Sequence, residues 1–72
     1  MVVKKVKLAA IELDRTKVNE TIVAELKQIY LNRKGIPVAI VDKNMIVVSN
    51  FETAAVLKDL GVPEVYVEQV NV

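Results

Sequence analysis

The chain of 72 residues contains no cysteine and no histidine. That excludes disulfides, and with them any zinc or haem site built on Cys or His ligands. Tryptophan is absent and only Tyr30, Phe51 and Tyr66 are aromatic, so rings that could stack on the bases of a single strand are scarce. No apolar run approaches the roughly 18 residues of a spanning helix, and the first residues lack a signal-peptide core. Those missing signals read as a cytoplasmic protein with no membrane partner. Charge of one sign is missing too: ten Lys and Arg against nine Asp and Glu leave a formal +1, which creates no global field to draw in nucleic acid.

What is present is a compact-domain composition, 53% hydrophobic and 26% charged, richer in apolar residues than a disordered chain. At this length only about 60% of the unfolded chain's surface is buried on folding, and stability is modest unless disulfides, metal or association add to it. With the first excluded and no His or Cys to hold a metal, association is the remaining device.

Val6-Lys7-Leu8-Ala9-Ala10-Ile11-Glu12-Leu13 alternates imperfectly, as a strand covered in part on both faces would. Asp14 to Lys17 is a polar connection. Asn19 is the expected N-cap of a helix in which Ile22, Val23, Leu26, Ile29 and Tyr30 form one apolar stripe. That stripe is expected to pack on a sheet. Arg33 and Lys34 suit the negative end of the helix dipole, and Gly35 is the expected left-handed stop.

Ile36 to Val41 reads as a second strand, with Pro37 tolerated at its beginning. Asp42-Lys43-Asn44 is a turn in which Asn44 tolerates positive φ, and Met45 to Val48 is a third strand completing an antiparallel hairpin. Both strands are continuously apolar, the pattern of central strands. Ser49-x-x-Glu52 is a capping box that opens a second helix, stopped at Gly61. Val65 to Val70 is the last strand, and its mixed faces read as an edge that invites a second copy. The fold class is α/β (α+β), one domain over residues 1–72 in the order β-α-β-β-α-β, with a homodimer expected from the open edge or from helix packing.

Three sets of residues could carry function. The start of the second helix offers backbone N–H groups to an anion, but Asn50, Phe51, Glu52 and Thr53 supply neither the Gly nor the Arg or Lys of a phosphate turn. Ser49 is therefore first a helix cap. The carboxylates of Glu12, Asp14, Glu20, Asp42, Glu64 and Glu68 show no spacing that would converge two of them in a cleft. Lys4, Lys5 and Lys7 alternate along a strand, which a solvated edge explains, yet a nucleic-acid surface asks only for Lys and Arg on one face.

Taken together, Ile11 to Asp14, the helix through Leu26, Gly35-Ile36-Pro37-Val38-Ala39-Ile40-Val41-Asp42, the Met45-to-Ser49 strand, the helix to Leu60-Gly61 and Val62-Pro63-Glu64-Val65-Tyr66-Val67 resemble the ParB/sulfiredoxin-like domain. The resemblance spans nearly the whole chain and implies a mixed sheet with two helices. In that superfamily, which includes chromosome-partition proteins, sulfiredoxin and a free-serine kinase, a Gly followed closely by Arg or His-Arg opens the helix after the third strand and binds nucleotide phosphate. Here Ser49-Asn50-Phe51-Glu52-Thr53 stands in that place without Gly or Arg, and sulfiredoxin's catalytic Cys is absent. The resemblance so departed from implies a fold kept without its catalytic site.

The leading expectation is a small non-enzymatic binding module related to partition or regulation, without a cofactor. Lys4, Lys5, Lys7, Arg15 and Lys17 are its candidate nucleic-acid contacts. The rival is a nucleotide-binding enzyme acting at the Ser49 helix start, with Asp42, Ser49 and Asn50 as its polar set. A third reading is a structural or protein-interaction module whose edge strand holds the partner.

Overall fold

In the computed structural model, residues 2–71 are described. The strands are β1 (Val2–Lys7), β2 (Ala39–Val41), β3 (Val47–Ser49) and β4 (Glu64–Gln69), and the helices are α1 (Glu20–Leu31) and α2 (Phe51–Leu60). They form one mixed sheet in the order β1-β4-β2-β3. β1 runs antiparallel to β4, β4 parallel to β2, and β2 antiparallel to β3. The expected α+β class and order of elements are those of the structure.

The first strand lies earlier than expected. It ends at Lys7 opposite Glu64, where β4 begins, and the chain then coils through a short 3-10 turn, Leu8–Ala10, with Leu8 N–H donating to the Pro63 carbonyl at 3.0 Å. This turn carries the chain across the end of the sheet to its opposite edge. There Glu12 pairs with β3: its N–H donates to Met45 O at 3.0 Å and its carbonyl accepts from Val47 N–H at 2.9 Å. The alternation of residues 6–13 thus belongs to the end of a strand, a buried crossing at Ile11 and a single bridge.

β4 is not an edge. It has β1 on one side and β2 on the other, so the expected pairing of a second copy along this strand is overturned. The two edges are β1 and β3, and Glu12 already covers part of β3. Nor are β2 and β3 covered on both faces: Val48 is 40% exposed and Val38, just before β2, is 37% exposed. Their continuous apolar character reflects one covered face and one bare one.

The layers explain this. α2 lies on the sheet, its Ala54 and Leu57 packed with Ile11, Ala39, Val41, Val47, Val65 and Val67. Its opposite side, Ala55 and Val56, packs on Val23 of α1. The α1 stripe therefore meets α2 and not the sheet, and being outermost it leaves Ile22 and Ile29 exposed. Each fully buried valine at positions 41, 56 and 67 contributes about 2 kcal/mol of hydrophobic stabilisation. Leu13 and Tyr30 touch both clusters and join them.

The helix ends follow local chemistry, in part at unexpected residues. The Asn19 side chain caps α1 by accepting from Thr21 N–H. α1 closes with Lys34 N–H donating to Ile29 O at 3.1 Å, and Arg33, not Gly35, takes the left-handed conformation at φ 62°. Gly61 closes α2 as expected, at φ 67°. In the hairpin the left-handed residue is Met45 at φ 65° rather than Asn44. Met45 N–H donates to Asp42 O while the Asp42 carboxylate accepts from Asn44 and Ile46 N–H, a tight turn followed by a left-handed residue.

Candidate functional site

The head of α2 departs from the capping box. Asn50, not Ser49, is the N-cap; it is left-handed at φ 56° and no side chain caps the helix. Its side-chain amide instead donates to the Val38 carbonyl at 2.8 Å, tying the residues before β2 to the helix head. Glu52 does not return to Ser49: its carboxylate accepts from Asn19 N–H at 3.1 Å and so joins the starts of the two helices. The residue three positions after Ser49, which a capping box would turn back on it, is here spent on a contact between helices, which no local pattern can announce.

For an anion this head is poorly furnished. The cation found here, Lys17, sits with its Nζ 5.8 Å from the centroid of Phe51, a half-buried ring resting on the sheet-side core. The Glu52 carboxylate stands on the first turn and repels negative charge. Asp42 is occupied in its hairpin turn, so Asp42, Ser49 and Asn50 do not converge as a catalytic set.

Arg15 is not free either. Its guanidinium makes two forked pairs, to Glu20 at 3.0 Å and 3.0 Å and to Asp59 at 3.0 Å and 3.0 Å. These bonds hold the carboxyls of Glu20 and Asp59 below the usual carboxylate range and raise the guanidinium further above its own. Lys27 Nζ adds a contact with Asp59 at 3.6 Å. Asp14, lowered by the bonds it accepts from the Thr16 hydroxyl and N–H, caps the 3-10 turn Arg15–Lys17. The cluster is a clasp between the connection before α1 and the end of α2, and phosphate would have to compete with two carboxylates for it.

The lysines of β1 divide between the two faces of the sheet. Lys4 lies opposite Val67, on the helix-covered side, although exposed at the edge. Lys5 lies opposite Tyr66 and Lys7 opposite Glu64, on the bare side. Tyr66 is 59% exposed, so a cation and an accessible ring stand side by side there. The Glu64 carboxylate reaches Lys5 Nζ at 4.0 Å and offsets part of the charge. Tyr66 was not among the expected contacts; strand alternation did place it away from Val65 and Val67, but only the pairing with β1 brings it to Lys5.

Beside these residues is a groove of about 400 Å³. It exists because β2 begins only at Ala39, opposite Val67. Glu64 to Tyr66 thus have β1 on one side but no strand on the other, where Ile36, Pro37 and Val38 form a separate wall. Tyr30 and Leu57 close the helix side, and Lys5 and Glu64 stand at the rim. Thr53 in its wall is 2% exposed, and its Oγ1 has no hydrogen-bond partner. Among the described residues no group of three or more potential ligands could hold a metal ion, and no helix is long and apolar enough to cross a membrane.

No protein-family model matches the sequence, and no curated protein matches it. Solved structures do match in fold. A C2221 form of the Pnob8-like ParB-N domain superposes with a TM-score of 0.78 at 18% identity, over 99% of this chain and 30% of that one. The pNOB8-like ParB N-domain superposes with a TM-score of 0.77 at 19% identity, over 99% and 28%. This chain has the ParB N-domain fold, as its resemblance implied, and spans less than a third of the length of the chains it matches.

Proposed function

We propose that this chain is a non-enzymatic binding module of the partition type, which contacts nucleic acid through the bare face of its sheet at β1 and β4. The observation that carries the reading is the cross-strand pair of Lys5 and exposed Tyr66, with Lys7 on the same face. Lysine supplies phosphate contact and the ring supplies a stacking platform that suits single strands of any sequence. The likeness to ParB N-domain structures supports a role connected with partition. Of the five basic residues singled out in the sequence, Lys5 and Lys7 fit this face; Lys4 projects to the other side, Arg15 is neutralised and Lys17 is held over Phe51.

The test is fluorescence anisotropy with a mixed-sequence oligonucleotide, single-stranded and as a duplex, across a salt series. Binding should be weak at near-neutral net charge, and should fall with salt with a logarithmic slope of about −0.7 per phosphate contact for the single strand. Lys5→Ala with Lys7→Ala should flatten that slope, Tyr66→Ala should weaken the single strand more than the duplex, and Lys4→Ala should matter least. Salt-independent binding, or none at low salt, sinks the reading.

A further inference from the structure

We infer that the groove beneath Thr53 is a binding site for a small, uncharged, largely apolar molecule carrying one hydrogen-bonding group. This goes beyond the nucleic-acid reading and does not depend on it. The first support is the orphan hydroxyl. A buried polar group without a partner is destabilising, and the large majority of buried side-chain polar atoms in folded proteins have one. Thr53 Oγ1 is the buried side-chain polar atom left unpaired among the described residues, and Thr53 is one of the residues that line the groove.

The second support is the lining. Tyr30, Ile36, Val38, Leu57, Val62 and Val65 make the walls predominantly apolar, and about 400 Å³ falls within the size of sites that hold small molecules. The rim carries one cation and one anion, Lys5 and Glu64, already 4.0 Å apart. Inside the rim the lining carries no charged side chain, so a charged ligand seated there would lose water without gaining a partner, and the walls favour neutral molecules. This separates it from the phosphate chemistry weighed for the head of α2.

The third support is a wall held outside the sheet. Ile36 to Val38 lie outside the sheet ladder and Pro37 has no N–H to give, so they are held by Ile36 packing beside Val23, Ala55 and Val56 and by the bond from Asn50 to Val38 O. The Thr53 hydroxyl is itself shut off from solvent. Threonine in a helix has two populated χ1 wells, and rotation between them redirects the hydroxyl, which is the route by which an entering ligand can meet the oxygen.

The experiment is a pair of amide-shift titrations by two-dimensional NMR on the wild-type chain and Thr53→Val, with p-cresol and toluene as probes. The two probes differ by one hydroxyl, and so do the two chains. In the wild type, p-cresol should move the amides of Thr53, Leu57, Val62 and Val65 and leave those of α1's exposed side in place. Thr53→Val should weaken p-cresol about fivefold, the worth of one ordinary hydrogen bond, and leave toluene unchanged or tighter. It should also raise the melting temperature, because it removes the unpaired hydroxyl while keeping the shape. A filling substitution, Val62→Phe, should abolish both probes while the spectrum stays folded. Shifts scattered over the surface, or equal loss of p-cresol and toluene on Thr53→Val, would overturn the site.

Discussion

α1 and α2 are alike in length and apolar character and unlike each other in the fold. α1 has twelve residues and α2 ten, yet α1 fully buries only Val23, whereas α2 buries five in succession, Thr53 to Leu57. A run of five neighbours covers more than one turn, so α2 is enclosed on opposite sides. It is the middle layer between the sheet and α1. What the difference teaches is that an apolar stripe states how much surface a helix can bury, while its place in the stack decides how much it does bury.

The strongest way to break that comparison is to crowd both helices alike. Ala55 is 0% exposed between α2 and α1, and Ala55→Leu should cost about 3 kcal/mol through overpacking. Ala24→Leu, on the exposed side of α1, should change stability by under about 0.5 kcal/mol. Urea midpoints read at constant slope decide the matter, and equal losses would mean that α1 is packed as tightly as α2. A smaller effect comes from deletion. Val56→Ala should cost about 2 kcal/mol, and Ile29→Ala less than about 1 kcal/mol because Ile29 keeps over a third of its surface in water.

The smallest effect concerns the clasp that ties the α1 side to α2. Glu20 and Asp59 titrate lower in the folded chain because Arg15 bonds to their ionised forms. Their contribution is therefore complete above the unfolded carboxylate range of about 4 and is lost as pH falls through the folded values. Arg15→Met should lower the melting temperature slightly at pH 7, since exposed pairs are screened, and the gap from the wild type should narrow as pH falls below the unfolded carboxylate range. A gap that stayed constant with pH would show that Arg15 acts by packing alone.

Much of the architecture was legible. Asn19 as a cap, Gly61 as a stop, the hairpin through Asp42 and the order of elements all follow from chemistry within a few residues. What escaped depends on partners far along the chain. Glu52 bonds to Asn19 across 33 residues and Arg15 to Asp59 across 44, so a capping box and a free cation were expected where long-range contacts are made. Likewise β4 carries the mixed pattern of an edge, and only pairing with β1 and β2 shows it to be internal. The groove was not visible at all, because it arises from where β2 fails to pair, at Ile36 to Val38, inside a segment whose composition promises a longer strand.

One feature of β1 bears on the chain's behaviour in a crowded solution. Its outer side is the long free edge, and an open strand edge is a template for pairing with another chain. Aligned antiparallel with its own copy, Val2-Val3-Lys4-Lys5-Val6-Lys7 sets a lysine against a lysine in each of the central registers: Lys4 meets Lys4, Lys5 or Lys7, or Lys5 meets Lys5 or Lys7. Repulsion between them opposes edge-to-edge pairing of two copies. Lys5 and Lys7, which belong to the face proposed for nucleic acid, thus also guard this edge, so neutralising them by mutation removes that guard. Light scattering has to accompany any alanine series on this strand before a lost binding signal is read as a lost contact.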